Sequence, residues 1–174
     1  MKFASRYPDV PIPETPYHTL ILQNAANIPD KLAFIDGPSG RTLTYRDVES
    51  GARRIASSLA RRGFRKGDVF AIVLPNVPEY ALVFHGVLML GGVVTTANPL
   101  YTVDELAFQL NDTRARFVVT VATFLDKVGA AARRSGTEEV FVLGEAEGAT
   151  PIAALLQGDG IVPEVAIHPR TDLA

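Results

Sequence analysis

Cysteine and tryptophan are both absent from this chain of 174 residues. Without a thiol there is no disulfide framework, no Cys-ligated zinc and no thiolate nucleophile, and the expected setting is a reducing, cytoplasmic compartment. An excess of one charge is missing too, because 17 Lys plus Arg stand against 19 Asp plus Glu, for a net charge of −2. So weak a long-range field argues against a dedicated nucleic-acid binder. No secretory signal is visible, since residues 1–14 are polar and hold Pro8, Pro11 and Pro13 in place of an apolar run. The longest apolar stretch, 80–97, approaches a membrane span in length, but His85 lies inside it and Gly91-Gly92 breaks it. Leu and Met before the break give way to Val and Thr after it, the pattern of a buried helix followed by a buried strand.

Hydrophobic residues make up 47% of the chain. At this length a fold buries roughly 70% of the surface its unfolded chain exposes, so a core forms without covalent staples. From Lys31 onwards short β-branched runs alternate with longer helical patterns, which predicts an α/β fold with a largely parallel sheet flanked by helices in Rossmann-like layers. An amino-terminal β-hairpin precedes them: residues 32–36 and 41–44 flank the turn Gly37-Pro38-Ser39-Gly40. Thr44 with Asp47 predicts a capping box for a helix to about Arg62, stopped by Gly63, with the core stripe Val48, Ala52, Ile55 and Leu59. The run 69–74 is too continuously apolar for a sheet with one wet face and reads as an interior parallel strand.

Pro78 is placed as the first residue of a helix to Leu90 that is apolar nearly all round, and therefore packs against later elements of this chain or another chain. A strand over 93–97, a second capping box of Thr102 with Glu105, a helix to about Asn111, a strand over 117–121, a helix from Thr123 to about Arg134 and a strand over 140–143 complete a βαβαβαβ order. Thr150 and Pro151 then read as the start of a short helix. The expected organisation is an extended segment over 1–16, an α/β unit over 17–160 and a tail over 161–174.

In an open parallel sheet, ligands sit outside the carboxyl ends of the strands, which directs attention to loops 75–79, 98–102, 122–124 and 144–149. Asn76, Asn98, Tyr101 and Thr102 are the candidate binding residues there, with Glu79 beside them. Each has a bland reading: Asn76, Asn98 and Thr102 suit turns and caps, and Glu79 suits a helix start. No glycine-rich phosphate loop, no GxSxG elbow and no pair of metal ligands at helical spacing occurs. No catalytic or metal-binding residue is therefore named. His85, on an apolar helix, is expected to be a core histidine bonded to a backbone carbonyl. Arg53, Arg54, Arg61, Arg62, Arg65 and Lys66 lie in an acid-free stretch, read either as a solvated helix face or as a patch for phosphate or an anionic membrane.

The order of short motifs resembles the amino-terminal part of the adenylate-forming enzymes, and among them 4-coumarate:CoA ligases and fatty acyl-CoA synthetases. The resemblance rests on Leu43-Thr44-Tyr45, Gly67-Asp68-Val69, Leu74-Pro75-Asn76 with Pro78-Glu79, and Ala97-Asn98-Pro99 with Tyr101-Thr102. Pro29-Asp30-Lys31 and the Gly91-Gly92 step add to it. It implies an incomplete amino-terminal domain of the adenylate-forming fold. The implied parent activity joins a carboxylic acid to coenzyme A, using ATP and Mg, through an acyl-adenylate. The family's Ser/Thr/Gly-rich phosphate loop is expected after a segment like 165–174. The chain alone is accordingly expected to bind no cofactor, to lack ligase activity and to self-associate through uncovered faces. A free-standing, non-catalytic nucleotide- or acyl-binding module is the alternative, and a pure interaction domain built on 80–90 is a third reading.

Overall fold

The structure is a computed structural model that describes residues 6–8 and 10–174. Of the extended segment expected over 1–16, residues 1–5 and 9 lie outside the described residues, and the rest form neither helix nor strand. The chain then makes a short helix, α1 (Tyr17–Leu22), and a single 3-10 turn (Ala25–Asn27), neither of which the sequence pattern announces. Strands β1 (Leu32–Ile35) and β2 (Thr42–Thr44) pair antiparallel as the expected hairpin.

Helix α2 (Tyr45–Arg61) begins with the expected capping box. Thr44 Oγ1 accepts from the Asp47 amide at 3.2 Å, and the Asp47 carboxylate accepts from the Thr44 amide at 2.8 Å. Val48, Ala52, Ile55 and Leu59 are all buried, as their spacing requires. Next come β3 (Val69–Ile72), α3 (Glu79–Met89), β4 (Val93–Thr96), α4 (Val103–Asp112), β5 (Ala115–Val121), α5 (Leu125–Ser135) and β6 (Glu139–Leu143). Pro78 sits one residue ahead of α3 with helical dihedrals.

One expectation fails after β6. Thr150 and Pro151 do not open a helix but form a two-residue strand, β7 (Thr150–Pro151), parallel to β6, and α6 (Ala153–Leu156) follows. The Ile152 amide donates to the Val142 carbonyl at 2.8 Å, so sheet pairing holds the segment extended. Proline is tolerated because β7 lies at the sheet edge.

The five parallel strands run β4-β3-β5-β6-β7. Side chains alternate along them, so Phe70, Ile72, Phe117, Val119 and Phe141 join the core beneath α2, α3 and α6, while Ala71, Val73 and Val118 join the core beneath α4 and α5. The result is the expected sheet between two helical layers. Phe64, Phe70, Phe117 and Phe141 stack and cross with centroids 5.7–6.4 Å apart, a ring cluster at the centre of the first layer. Gly92 is required beside it, because a Cβ there would lie 2.5 Å from the Phe64 ring. The over-apolar α3 is covered by the earlier elements α1 and α2 and, on its sheet side, by strands that include the later β4, so elements of this chain on both sides of it in sequence cover it.

At the amino ends of the strands, Arg116 bonds the Asp68 carboxylate at 2.6 Å, the Gly63 carbonyl at 2.9 Å and both oxygens of Glu138 at 2.8 Å. This clasp locks β3, β5 and the start of β6 in register at the edge opposite the strands' carboxyl ends.

Candidate functional site

The chain leaves β3 towards β4 on one side of the sheet and later returns past β3 to β5 on the other. Helices α3 and α4 therefore lie on opposite faces, and the carboxyl ends of β3 and β5 mark the switch point where doubly wound sheets take their ligands. Thr120 of β5 is fully buried there and donates its hydroxyl to the Val73 carbonyl at 3.1 Å.

The four candidate loop residues do not converge. Asn98 forms an Asx turn, its side-chain oxygen accepting from the Leu100 amide at 2.9 Å. Thr102 caps α4, and the Glu105 carboxylate accepts from the Thr102 amide at 2.8 Å and from its hydroxyl at 2.9 Å. Those bonds hold the Glu105 carboxyl below the usual carboxylate range. Tyr101 flanks an open groove of about 550 Å³ along α4, among Asp104, Glu105 and Asp112. Asn76 lies apart from it, at a cavity of about 540 Å³ between the β1–β2 turn and the start of α3. Glu79 is held by Arg41 at 2.5 and 3.1 Å, which ties the hairpin to α3.

The electrostatics of the carboxyl edge are equally plain. Loops 75–79, 98–102, 122–124 and 144–149 contain no Lys or Arg, and the last contains Glu145 and Glu147. Nearby Lys127 is committed, its Nζ donating to the Pro99 carbonyl at 2.5 Å and lying 5.1 Å from the Phe124 ring centre. These residues do not fit a nucleoside triphosphate, which needs backbone cradles and cations around its phosphates. Among the described residues no group of three His, Asp or Glu side chains converges as a metal site.

The cavity beside Asn76 is the feature that residue patterns did not reveal, because its walls come from segments far apart in the chain. Tyr17 from α1 stacks on His85 with centroids 6.1 Å apart, and its edge meets Phe84 at 5.9 Å. His85 is buried, as expected, but the carbonyl bond expected of it is not made at Nδ1, which is enclosed and has no partner. Burial first, and the neighbouring His18 second, lower its pKa below the ordinary value. No local signal marks Tyr17 as its neighbour.

The basic stretch is not one free cationic face. Arg61 pairs with Asp159 at 3.1 Å, Arg62 with Glu139 at 3.4 Å and Lys66 with Asp172 at 2.6 Å. Arg53, Arg54 and Arg65 stay exposed. Lys66 also donates to the Ala166 carbonyl at 2.7 Å, so the 161–174 tail lies strapped along the domain. No helix among the described residues is long and apolar enough to cross a membrane.

Comparison with known proteins places this architecture. The model of the family described as AMP-binding enzyme matches residues 21–168. The chain is 39% identical over 172 residues to 4-coumarate–CoA ligase 5 of Oryza sativa subsp. japonica, covering 98% of this chain and 31% of that protein. It is 34% identical over 168 residues to 4-coumarate–CoA ligase 1 of Petroselinum crispum, covering 95% of this chain and 31% of the relative. It thus spans about a third of the length of these curated relatives. Among solved structures, a long-chain-fatty-acid–CoA ligase from Archaeoglobus fulgidus superposes with a TM-score of 0.85 at 22% identity, over 98% of this chain and 35% of that one, which shows the shared fold.

Proposed function

The chain belongs to the family of AMP-binding enzymes, and from that membership we propose that it is the amino-terminal scaffold of an ATP-dependent carboxylic acid:CoA ligase. In that reading the whole enzyme makes an acyl-adenylate and pyrophosphate from a carboxylic acid and MgATP, then passes the acyl group to the thiol of coenzyme A. The observation that carries the division of labour is the carboxyl edge of the sheet: the switch point is present, but the four loops there hold no Lys or Arg. Without charge stabilisation at the transferring phosphates the chain alone catalyses neither half-reaction. A cytoplasmic setting accords with the cysteine-free sequence.

ATP–pyrophosphate exchange tests this. The 174-residue chain should give none with any carboxylic acid, and a longer polypeptide that carries this segment with the rest of such a ligase should give exchange with phenylpropenoic, benzoic or fatty acids. Exchange by the chain alone would refute the scaffold reading, and a longer polypeptide without exchange would refute the ligase reading. Peripheral membrane contact rests on Arg53, Arg54 and Arg65, the exposed members of the stretch that form none of its ion pairs. Reversing their charge should then abolish liposome association of the longer protein.

The switch point at the carboxyl ends of β3 and β5 favours a second reading, a nucleotide- or acyl-binding module without catalysis. A thermal shift with ATP, AMP, coenzyme A or an aromatic acid supports that module, and no shift with any of them counts against it.

A further inference from the structure

The cavity between the β1–β2 turn and α3 has a composition that the ligase reading does not use. At about 540 Å³ it lies within the range of small-molecule sites. Rings of Tyr17, Phe34, Tyr80 and Phe84 line it. Asp36 is the one acidic residue in the lining, which holds no Lys or Arg, and Arg41 outside it is paired with Glu79. An anion entering here would meet an acidic side chain with no cation in the wall, so a carboxylic acid or a phosphate is disfavoured. Asn76, exposed at the mouth, makes no side-chain hydrogen bond among the described residues, and the imidazole of His85, 8% exposed, forms part of the wall.

We propose that this cavity is a binding site for an uncharged, flat aromatic molecule carrying a hydrogen-bonding group, a site separate from the acid and nucleotide chemistry of the proposed ligase. The rings supply stacking faces, Asn76 supplies orientation, and Asp36 supplies discrimination against anions.

The test uses two probes with the same rings and opposite charge character, 2-naphthamide and 2-naphthoate, titrated into the chain while the resonances of His85 and Tyr17 are followed by NMR. The amide should give saturable shifts at both residues, and the carboxylate should bind at least about tenfold more weakly. Ala81→Leu, which fills the cavity wall, should abolish the shifts; if its circular dichroism shows loss of fold, Asn76→Trp at the exposed mouth replaces it. Equal affinity for the two probes, binding that survives a folded blocking variant, or the absence of saturable shifts each overturns the proposal. So does a dimer by ultracentrifugation whose dissociation reproduces the shifts, because the occupant is then a second copy of the chain. Neither ATP nor coenzyme A enters the readout, so its outcome is independent of the ligase reading.

Discussion

Gly158 is the position where the docking of the carboxy-terminal segment can be measured. A Cβ there would lie 2.9 Å from the Arg54 carbonyl carbon, and closer still to the Arg54 carbonyl oxygen and Ser57 Oγ, on the outer surface of α2. Carbon atoms in good contact sit about 3.5–4.0 Å apart, so Gly158→Ala must push the chain after α6 from α2 by at least about 0.6 Å. Two of the three obstacles are backbone atoms of a helix and cannot step aside. Overpacking of this kind costs about 1–3 kcal/mol. The displacement also endangers the bond from the Gly160 amide to Ser57 Oγ, at 3.1 Å, worth about 1 kcal/mol. Stiffening of the unfolded chain returns about 0.4–1 kcal/mol. The net expectation is a destabilisation of about 2 kcal/mol, or about 4–8 °C in Tm for a domain of this size. Gly37→Ala is the control, because nothing lies within 4 Å of its Cβ and its φ is not positive. It should stay within about 0.5 kcal/mol of the parent. Urea midpoints and thermal scans read both, and hydrogen exchange at the Gly160 amide reports the local loss. If Gly158→Ala proves as stable as Gly37→Ala, the chain after α6 is not seated on α2 and the reasoning fails.

Thr44→Ala removes the acceptor for the Asp47 amide and should cost about 1 kcal/mol by chemical denaturation, with Thr44→Ser restoring most of it. Arg114, exposed after α4, is the one non-glycine among the described residues held at a positive φ, 54°, so Arg114→Gly should raise the urea midpoint by about 0.5–1 kcal/mol equivalent. His18 and His85 both have folded pKa values lowered below 6.5, by burial in each case and at His85 by His18 as well. The unfolded chain therefore binds more protons as pH falls below that value, and the stability present above it is lost progressively on acidification. Urea midpoints between about pH 7.5 and about pH 5.5 should fall, and His85→Phe should flatten the dependence; an unchanged slope in that variant would remove His85 from the account.

Signals confined to a few residues carried most of the secondary structure. The two capping boxes need three-residue spacing, the α2 stripe needs turns of one helix, and the continuous apolar run of β3 needs burial on both faces, all of which are local. The short-motif order likewise identified the family, because it is a linear property. The misreading at Thr150 and Pro151 marks the limit, since a good local helix start yielded to pairing with β6. The candidate loops show a similar limit: Asn98 and Thr102 have residue types suited either to ligands or to turns, and only the three-dimensional bonds showed them engaged in turns.

What the tertiary structure alone decided lies at long range. Strand order, and with it the switch point between β3 and β5, follows from which way each crossover turns, which no single segment encodes. The tail is fixed by Lys66 reaching Ala166, 100 residues away, and by Ser57 receiving the amide of Gly160, 103 residues away. The aromatic cavity exists because α1, a six-residue helix without a buried residue of its own, lays Tyr17 on His85. Composition, caps and periodicity are written in neighbours along the chain and so determined the elements and the family. Sites are made where distant segments close on one another, and their geometry exists only once the chain has met itself.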